Sequence, residues 1–487
     1  MLFNSINFAI FLPIVFLLYW LVPKGNFRIQ NGLLLIASYF FYAAWDYRFL
    51  FLLVFSTLLD YFTGLKISKA NTQNVKKIWL WLSIIINLGF LGVFKYYNFF
   101  ASSFSDGLSL LGLHVNFGTL QVILPVGISF YTFHGLSYVI DIYKNRIKPE
   151  RNFIDYSLFV SFFPLLVAGP IERATHLLPQ IIKIREFNTE KAVDGLRQIL
   201  WGLFKKIVIA DNCAEYANDI FNNYGLHSGA TLVLGALLFT IQIYCDFSGY
   251  SDIALGTARL FGIELLRNFA FPYFSRDIAE FWRRWHISLS SWFRDYLYIP
   301  LGGSKGGTWI KVRNTFIIFI VSGFWHGANW TFIVWGLLNA LFIMPAIIFN
   351  TNRNHLDIVA KGKILPSIKE LFSVSFTFFL TVFAWIFFRA NSLDQAIEYI
   401  KSLLVGLFQK VSYVETLNLL WWKMGFTLPI LVFVFFVVEW IGRDQQYALG
   451  GIGVKLSRPA RWLLYYAIVL SIFYLSGTKQ QFIYFQF

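Results

Sequence analysis

The sequence predicts an all-α polytopic membrane protein. Of its 487 residues, 57% are hydrophobic and only 14% are charged, whereas an average soluble domain has about 25% charged residues. Apolar runs recur from the beginning of the chain to its end, and the alternating pattern that a β-barrel requires is missing. Because these runs are spread over the whole length, we expect residues 1–487 to form a single integral membrane domain.

The distribution of positive charge along the chain is typical of a protein whose partner is a lipid bilayer. The net charge is +15, but the lysines and arginines lie mainly in short loops between apolar runs, so we predict no nucleic-acid partner. The two cysteines, Cys213 and Cys245, form no CxxC pair, and we predict no metal site. The N-terminus lacks a basic region and a small-residue cleavage site, which favours a retained span over a signal peptide.

Apolar runs of membrane length give about ten to eleven transmembrane helices, together with re-entrant or interfacial helices, because several runs are shorter than the ~20 residues that a crossing needs. The predicted spans lie near residues 6–22, 31–45, 48–64, 78–97, 120–142, 153–168, 196–210, 231–247, 314–325, 330–349, 372–388, 425–441 and 462–476. We expect the run at 153–168 to return to the side from which it came.

Basic loops predict the orientation. They predict that the first, third and fifth loops are cytoplasmic and that both termini lie on the opposite side of the membrane. Because both termini are then on the same side, the number of crossings must be even, and ten fits best. The basic residues that decide this are Lys24, Arg28, Lys66, Lys69, Lys76, Lys77, Lys144, Arg146, Lys148, Arg151, Arg353, Lys361, Lys363, Lys369, Arg443, Lys455, Arg458 and Arg461.

The segment from 275 to 330 concentrates charge between apolar flanks and contains two histidines. Aromatic residues at three- and four-residue intervals predict one amphipathic helix over 276–299, with Glu280 placed to pair with Arg284. A helix that only anchors the protein at the membrane interface explains this aromatic stripe as well as a helix with a functional role does. His286 adds a further possibility, because it falls at the edge of the aromatic face, a position from which its side chain can point into protein rather than into water.

His326 lies near the apex of a predicted hairpin formed by residues 314–325 and 330–349. The first limb is too short to cross, so we expect its apex within the membrane, where an ionisable group usually marks a functional site. Gly323 and Gly327 leave room for a substrate to approach. A neutral imidazole is suited to proton abstraction from a hydroxyl, although a core histidine bonded to a carbonyl is the plainer interpretation.

Three other features have weaker signals. Four glycines around Lys305 lack the spacing of a phosphate-binding P-loop and favour a flexible cytoplasmic turn. Asp246 and Asp252 flank Gly249 in an apolar run, as in a cation transporter with a broken helix, although structural roles are favoured. His134 and Asp141 share a helix face, but a core histidine beside a loop-proximal carboxylate is favoured over a proton path.

With these residues in view, the chain resembles the membrane-bound O-acyltransferase family, and within it the alginate O-acetyltransferase branch. The resemblance covers most of the chain, and five motifs carry it. They are SFFPLLVAGPIER (161–173), YCDFSGYSDIALG (244–256), FWRRWHISLSSWFRDYLYIPLGG (281–303), SGFWHGANWTFIVWGLLNA (322–340) and FIYFQF (482–487). One departure is His134, where the family pattern has glutamine, and this argues against a catalytic role for that histidine.

The resemblance implies a funnel through the membrane, with His326 as the catalytic base at its narrow point and His286 as a second catalytic histidine. It also implies a bacterial cytoplasmic-membrane location and a cytoplasmic thioester donor, either acetyl-coenzyme A or an acylated carrier, with no tightly bound cofactor. The acceptor would be a polysaccharide, a cell-wall glycan or an SGNH-type periplasmic acetyltransferase partner. Substrate contacts are expected from Trp325, Asn329, Asp246, Arg283, Arg284 and Lys305.

Two other function classes remain open at this point. A transporter would use Asp246 or Asp252 and tolerate the loss of His326, whereas a membrane scaffold would tolerate the loss of either histidine.

Overall fold

The computed structural model describes residues 1–115, 117–121, 123–167, 169–452 and 456–483. Over these ranges the regular structure consists of helices, and no strand is present, which confirms the all-α class. Lys455, the last four residues of the FIYFQF motif and single positions in the predicted spans 120–142 and 153–168 lie outside the described residues.

The described chain divides into two compact units. The single integral membrane domain expected from the sequence stays a prediction. The first unit comprises Met1–Gly195 and Ala254–Leu266. Several of its helices begin at side-chain caps, for example Ser5, Thr72 and Asn152, whose oxygens accept from backbone N–H groups of the first turn. Its helices are Ile6–Leu21, Phe27–Ala43, Arg48–Lys69, Gln73–Leu91, Tyr97–Leu110, Ile128–Tyr143, Phe153–Ser161, Phe163–Leu166 and Ala174–Ile181.

The second unit comprises Leu196–Ile253 and Arg267–Phe487, and contains both histidines of interest. Its helices are Asp211–Asn222, Ile278–Arg284, Ile287–Phe293, Thr308–His326, Trp330–Ile348, Ile368–Arg389, Leu393–Gly406, Lys410–Asn418, Thr427–Ile441 and Arg458–Tyr474. Two further helices, Thr189–Leu203 and Gly229–Leu260, have residues assigned to both units.

Fewer of the described helices are long and apolar enough to span a membrane than the sequence predicts. Five helices among the described residues are long and apolar enough to span a membrane, or six if the bent pair Lys410–Lys423 and Thr427–Ile441 counts as one span. The predicted ten to eleven are therefore not confirmed, although the multi-pass character is. The orientation of the termini stays a prediction.

The predicted continuous helix over 276–299 is wrong. The chain forms two short helices, Ile278–Arg284 and Ile287–Phe293, followed by a π-helical turn, Arg294–Tyr298. The break lies at His286, whose φ of +42° is in the left-handed region that side chains other than glycine seldom adopt. Periodicity did not reveal this break, because apolar residues keep a similar spacing on both sides of it.

The hairpin around His326 is confirmed, with a longer first limb. Its two helices are Thr308–His326 and Trp330–Ile348, and we call them the histidine hairpin. Gly323 and Gly336 permit their close approach: a Cβ at Gly323 would lie 2.2 Å from the Phe332 carbonyl oxygen, and one at Gly336 would lie 2.3 Å from that of Phe319. Gly327 likewise faces the Phe332 ring, so the prediction that Gly323 and Gly327 leave room for substrate is wrong.

Candidate active site

His326 ends the first helix of the histidine hairpin inside an aromatic enclosure. Its side chain is buried, and its ring centroid lies 4.9 Å from that of Trp325, 5.1 Å from Trp335 and 5.4 Å from Phe388. Three helices of the second unit supply these rings, namely both limbs of the hairpin and Ile368–Arg389. Aromatic walls keep bulk water away, which strengthens any hydrogen bond or charge interaction that the imidazole makes.

His286 sits at the break between the two short helices and is also buried. Its Nδ1 lies 3.0 Å from the amide oxygen of Asn268, and its ring packs edge-on against Phe247 at 4.7 Å. Burial lowers the pKa of His286 to about 3, because desolvation disfavours the charged form. His286 is therefore neutral at physiological pH.

Trp325 joins the two histidines. Its indole contacts His326, the next residue in the chain, and lies 6.1 Å from the ring of His286, which is 39 positions earlier. The fold thus brings the two predicted catalytic residues, and the predicted substrate contact Trp325, into one aromatic site. Local sequence patterns contain no information about this meeting.

The paired arginines of the 281–303 motif contact protein atoms. Arg283 donates from Nη1 to the Asn352 carbonyl at 2.5 Å and from Nη2 to the His355 carbonyl at 2.7 Å. Arg284 pairs with Glu280 at 2.7 Å, as predicted. These bonds hold the loop after the histidine hairpin, and the expected contacts of Arg283 and Arg284 with a donor stay predictions.

A cavity of about 530 Å³ opens at the end of the histidine hairpin opposite His326. We call it the basal pocket. Its polar lining residues are Tyr298, Ser304, Lys311, Thr315, Asn350, Asn352 and Arg353, and its apolar ones are Ile318, Phe319, Ile343 and Ile347. Lys305 lies exposed in the glycine-rich turn next to Ser304. Arg283 donates to the carbonyls of Asn352 and His355, which flank Arg353, and so it stabilises one wall of this pocket.

Aromatic contacts continue from the floor of the basal pocket to His326. Phe319 packs against Trp282 at 5.1 Å, Trp282 against Trp335 at 5.7 Å, and Trp335 against His326 at 5.1 Å. The pocket and the imidazole thus belong to one packed region of the second unit.

Asn329 caps the second limb of the hairpin. Its side-chain oxygen accepts from the Thr331 N–H at 3.0 Å, and its amide donates to the Asn391 carbonyl at 2.9 Å. Both contacts are structural, and a substrate contact of Asn329 stays a prediction.

The broken helix of the transporter alternative is not found between Asp246 and Asp252, because Gly229–Leu260 is one continuous helix. Gly249 instead permits close packing, since a Cβ there would lie 2.8 Å from the Gly202 carbonyl oxygen. Both aspartates pair with buried lysines of the π-helical turn Phe204–Ala210. Lys206 Nζ lies 2.7 Å from Asp246 and 2.8 Å from Asp211, and Lys205 Nζ lies 2.6 Å from Asp252.

His134 is a core histidine of the first unit. Its Nε2 accepts from the Glu172 N–H at 3.1 Å, and its Nδ1 lies 3.4 Å from the Val160 carbonyl oxygen. Asp141 pairs with Arg146 at 3.0 Å near the end of the same helix. These contacts match the favoured structural interpretation.

Several of the groups around the histidines were not predicted from the sequence. Asn268 and Phe388 contact the imidazoles and lie outside the five motifs. Trp335 also contacts His326 and lies within the 322–340 motif, but nothing there distinguishes it from the other aromatic residues. The only available hint was the isolated amide of Asn268 in the apolar run NFAFPYF.

Comparison with known proteins establishes the family. The model of the membrane-bound O-acyltransferase family matches residues 146–389, a range that includes His286, Trp325 and His326. The chain belongs to this family. It is therefore a membrane O-acyltransferase, and the resemblance seen in its motifs is confirmed.

Individual relatives support the same assignment. The chain is 38% identical to the "Probable alginate O-acetylase AlgI" of Pseudomonas aeruginosa, over 92% of its own length and 82% of that protein. It is also 38% identical to the peptidoglycan O-acetyltransferase of Helicobacter pylori, over 84% of its length and 80% of that protein. A teichoic acid D-alanyltransferase of Bacillus subtilis is 30% identical over 45% of this chain and 58% of that protein.

Proposed function

We propose that this membrane-bound O-acyltransferase moves an acetyl group from a cytoplasmic thioester donor to a hydroxyl group on the outer side of the bacterial cytoplasmic membrane. The observation that supports this most directly is the convergence of His286 and His326 on the indole of Trp325. Two buried imidazoles in an aromatic, water-poor site are suited to acyl transfer to a hydroxyl.

The reaction follows from the chemistry of imidazole. His326 accepts the proton of the acceptor hydroxyl as its oxygen attacks the thioester carbonyl, and a tetrahedral intermediate forms. The intermediate collapses with cleavage of the carbon–sulfur bond, and the imidazolium returns the proton to the leaving thiolate. The products are an ester and a free thiol, and His286 stabilises or orients the reacting groups through its own ring.

The basal pocket supports a donor with phosphate groups. Lys311 and Arg353 provide two cations, and neighbouring amide and hydroxyl side chains add hydrogen-bond donors, whereas the inner lining is apolar. Thr315 in this lining and His326 are on the same helix, about 16 Å apart at ~1.5 Å per residue. An extended phosphopantetheine arm, present in acetyl-coenzyme A and in carrier proteins alike, spans such a distance.

The acceptor side is assigned by analogy with the relatives, whose names specify alginate and peptidoglycan. We propose a polysaccharide or cell-wall glycan as the final acceptor, reached directly or through an SGNH-type periplasmic partner. This assignment places the basic glycine-rich turn and the basal pocket in the cytoplasm and both termini outside, in agreement with the basic loops.

The proposal is tested by measuring O-acetyl groups on cell-surface glycans in cells that express the wild type or His326→Ala at equal membrane levels. We expect the His326→Ala cells to lack the acetylation that the wild type adds. His134→Gln provides a matched control, because His134 is buried and hydrogen-bonded in the first unit. Acetylation that persists unchanged in His326→Ala would contradict the mechanism.

A further inference from the structure

Asn268 binds the turn that carries His286 through its backbone and its side chain. The Ile287 N–H donates to the Asn268 carbonyl at 2.9 Å. The side-chain oxygen of Asn268 accepts from Ser288 Oγ at 2.9 Å and lies 3.4 Å from the Ser288 nitrogen, which also donates to it. This oxygen is the same atom that lies 3.0 Å from His286 Nδ1.

The orientation of the Asn268 amide follows from these partners. A backbone N–H only donates, so the atom that faces Ser288 must be the amide oxygen. The amide nitrogen points the other way and donates to Ser251 Oγ at 3.2 Å. A flipped amide would place its NH₂ group against the Ser288 N–H and is excluded on that ground.

The amide orientation determines which nitrogen of His286 carries the hydrogen. Because the oxygen of Asn268 is only an acceptor, Nδ1 of His286 must donate to it. A neutral imidazole has one N–H, so Nε2 is left with a lone pair. The imidazole is neutral because burial lowers its pKa.

The same contacts stabilise an unusual backbone. His286 has a φ of +42°, and residues held in the left-handed region at functional sites persist only when their surroundings over-determine them. Bonds from Asn268 to Ile287 and Ser288 provide that constraint immediately after the strained residue.

We propose that Asn268 is a positioning residue for acyl transfer: it holds His286 in the Nδ1–H tautomer, so that Nε2 is the atom that accepts a hydrogen bond or a proton from the substrates. This inference rests on the proposed role of His286 in catalysis. It assigns a function to an asparagine outside the two histidine motifs, and it specifies which atom of His286 reacts.

The decisive test is the ¹⁵N spectrum of histidine-labelled full-length protein in lipid nanodiscs. The resonances of His286 are identified by their absence in His286→Gln. We expect the wild type to show a protonated Nδ1 and an unprotonated Nε2 at His286. A protonated Nε2 in the wild type overturns the proposal, and this measurement needs no active enzyme. Its outcome is therefore separate from that of the acetylation assay.

Two substitutions extend the test to catalysis. Asn268→Leu removes the acceptor, and we expect a mixed tautomer at His286 with kcat lowered about 10- to 100-fold and little change in KM. Asn268→Asp keeps the acceptor oxygen and should retain the Nδ1–H tautomer and recover most of the rate. Unchanged kcat in folded Asn268→Leu would also overturn the proposal. If Asn268→Leu does not fold, the wild-type spectrum and Asn268→Asp still decide it.

Asn31→Leu is the matched control for the loss of a buried asparagine. Asn31 is fully buried in the first unit, and its side chain bonds Asp155, the Ile181 carbonyl and Arg185. We expect Asn31→Leu to lower thermal stability while the folded protein keeps the wild-type tautomer and kcat. A comparable loss of kcat per folded molecule in both leucine variants would assign the effect of Asn268 to structure alone.

Discussion

Two buried polar regions of the second unit are built in opposite ways. Around His286 and His326 the neighbours are mainly aromatic rings, namely those of Phe247, Trp325, Trp335 and Phe388. Around the π-helical turn Phe204–Ala210, the neighbours are charges that compensate each other in close ion pairs.

This difference in surroundings distinguishes the histidines, which are suited to a chemical role, from the paired aspartates, which are suited to a structural one. A carboxylate held at 2.6–2.8 Å from a buried lysine is already compensated, and a transported cation would have to displace that lysine. An imidazole in an aromatic enclosure keeps the capacity to exchange a proton with a substrate. The comparison thus favours catalysis at the histidines and a structural role for the aspartates, against the transporter alternative.

The largest expected effect is the loss of the imidazole of His326. His326→Gln should lower kcat by about 10²- to 10⁴-fold, the usual contribution of general acid–base catalysis, while the unfolding temperature changes little. Acetyl transfer by protein in nanodiscs measures the first quantity, and thermal unfolding the second. Comparable activity in His326→Gln and wild type would contradict the assignment of the chemistry to the aromatic region around the histidines.

Substitution in the charged region should change stability most. Asp252→Asn leaves Lys205 buried beside an uncharged partner, and we expect a destabilisation of about 3–5 kcal/mol. The double variant Lys205→Met/Asp252→Leu removes both charges and should recover much of it. Stable, well-folded Asp252→Asn protein that has lost its activity would reassign Asp252 to the functional machinery.

The packing of the histidine hairpin gives the next effect. Gly323→Ala places a Cβ against the Phe332 carbonyl oxygen, and overpacking of this kind costs about 1–3 kcal/mol. Gly89→Ala is a control of opposite sign, because a Cβ there meets no atom within 4 Å and alanine favours a helix by up to ~1 kcal/mol. A Gly323→Ala protein as stable as wild type would show that the limbs can separate without penalty.

Arg283 tests whether the basal pocket serves the donor. Arg283→Lys loses the forked grip on the Asn352 and His355 carbonyls. We expect the KM for the thioester donor to rise about fivefold, the equivalent of about one hydrogen bond, with kcat and the KM for the acceptor little changed. An equal rise in both KM values would place the effect outside the donor pocket.

The smallest effect is expected at Lys305, which is exposed in the glycine-rich turn, where solvent and salt screen its charge. Lys305→Ala should change the donor KM by less than about twofold, whereas Lys311→Ala, inside the basal pocket, should raise it several-fold. A larger effect at Lys305 than at Lys311 would return the donor phosphates to the glycine-rich turn.

Much of the local structure was predictable from the sequence. Apolar runs determine that the chain is helical, and the interval between residues 314–325 and 330–349 determines that His326 stands at the apex of a hairpin. The ion pair of Glu280 and Arg284 follows from their spacing of four residues. The family motifs identified the two histidines and the O-acyltransferase assignment that comparison confirms.

Only the tertiary structure shows the partners of those residues. The pairing of Lys205 with Asp252, the indole between the histidines and the left-handed break at His286 each depend on contacts between distant positions of the chain. Helical periodicity reports which residues share one face of one helix, and it contains nothing about the face that packs opposite. For that reason the motifs singled out two histidines, whereas only the fold shows that both lie against Trp325 and that Asn268 contacts one of them.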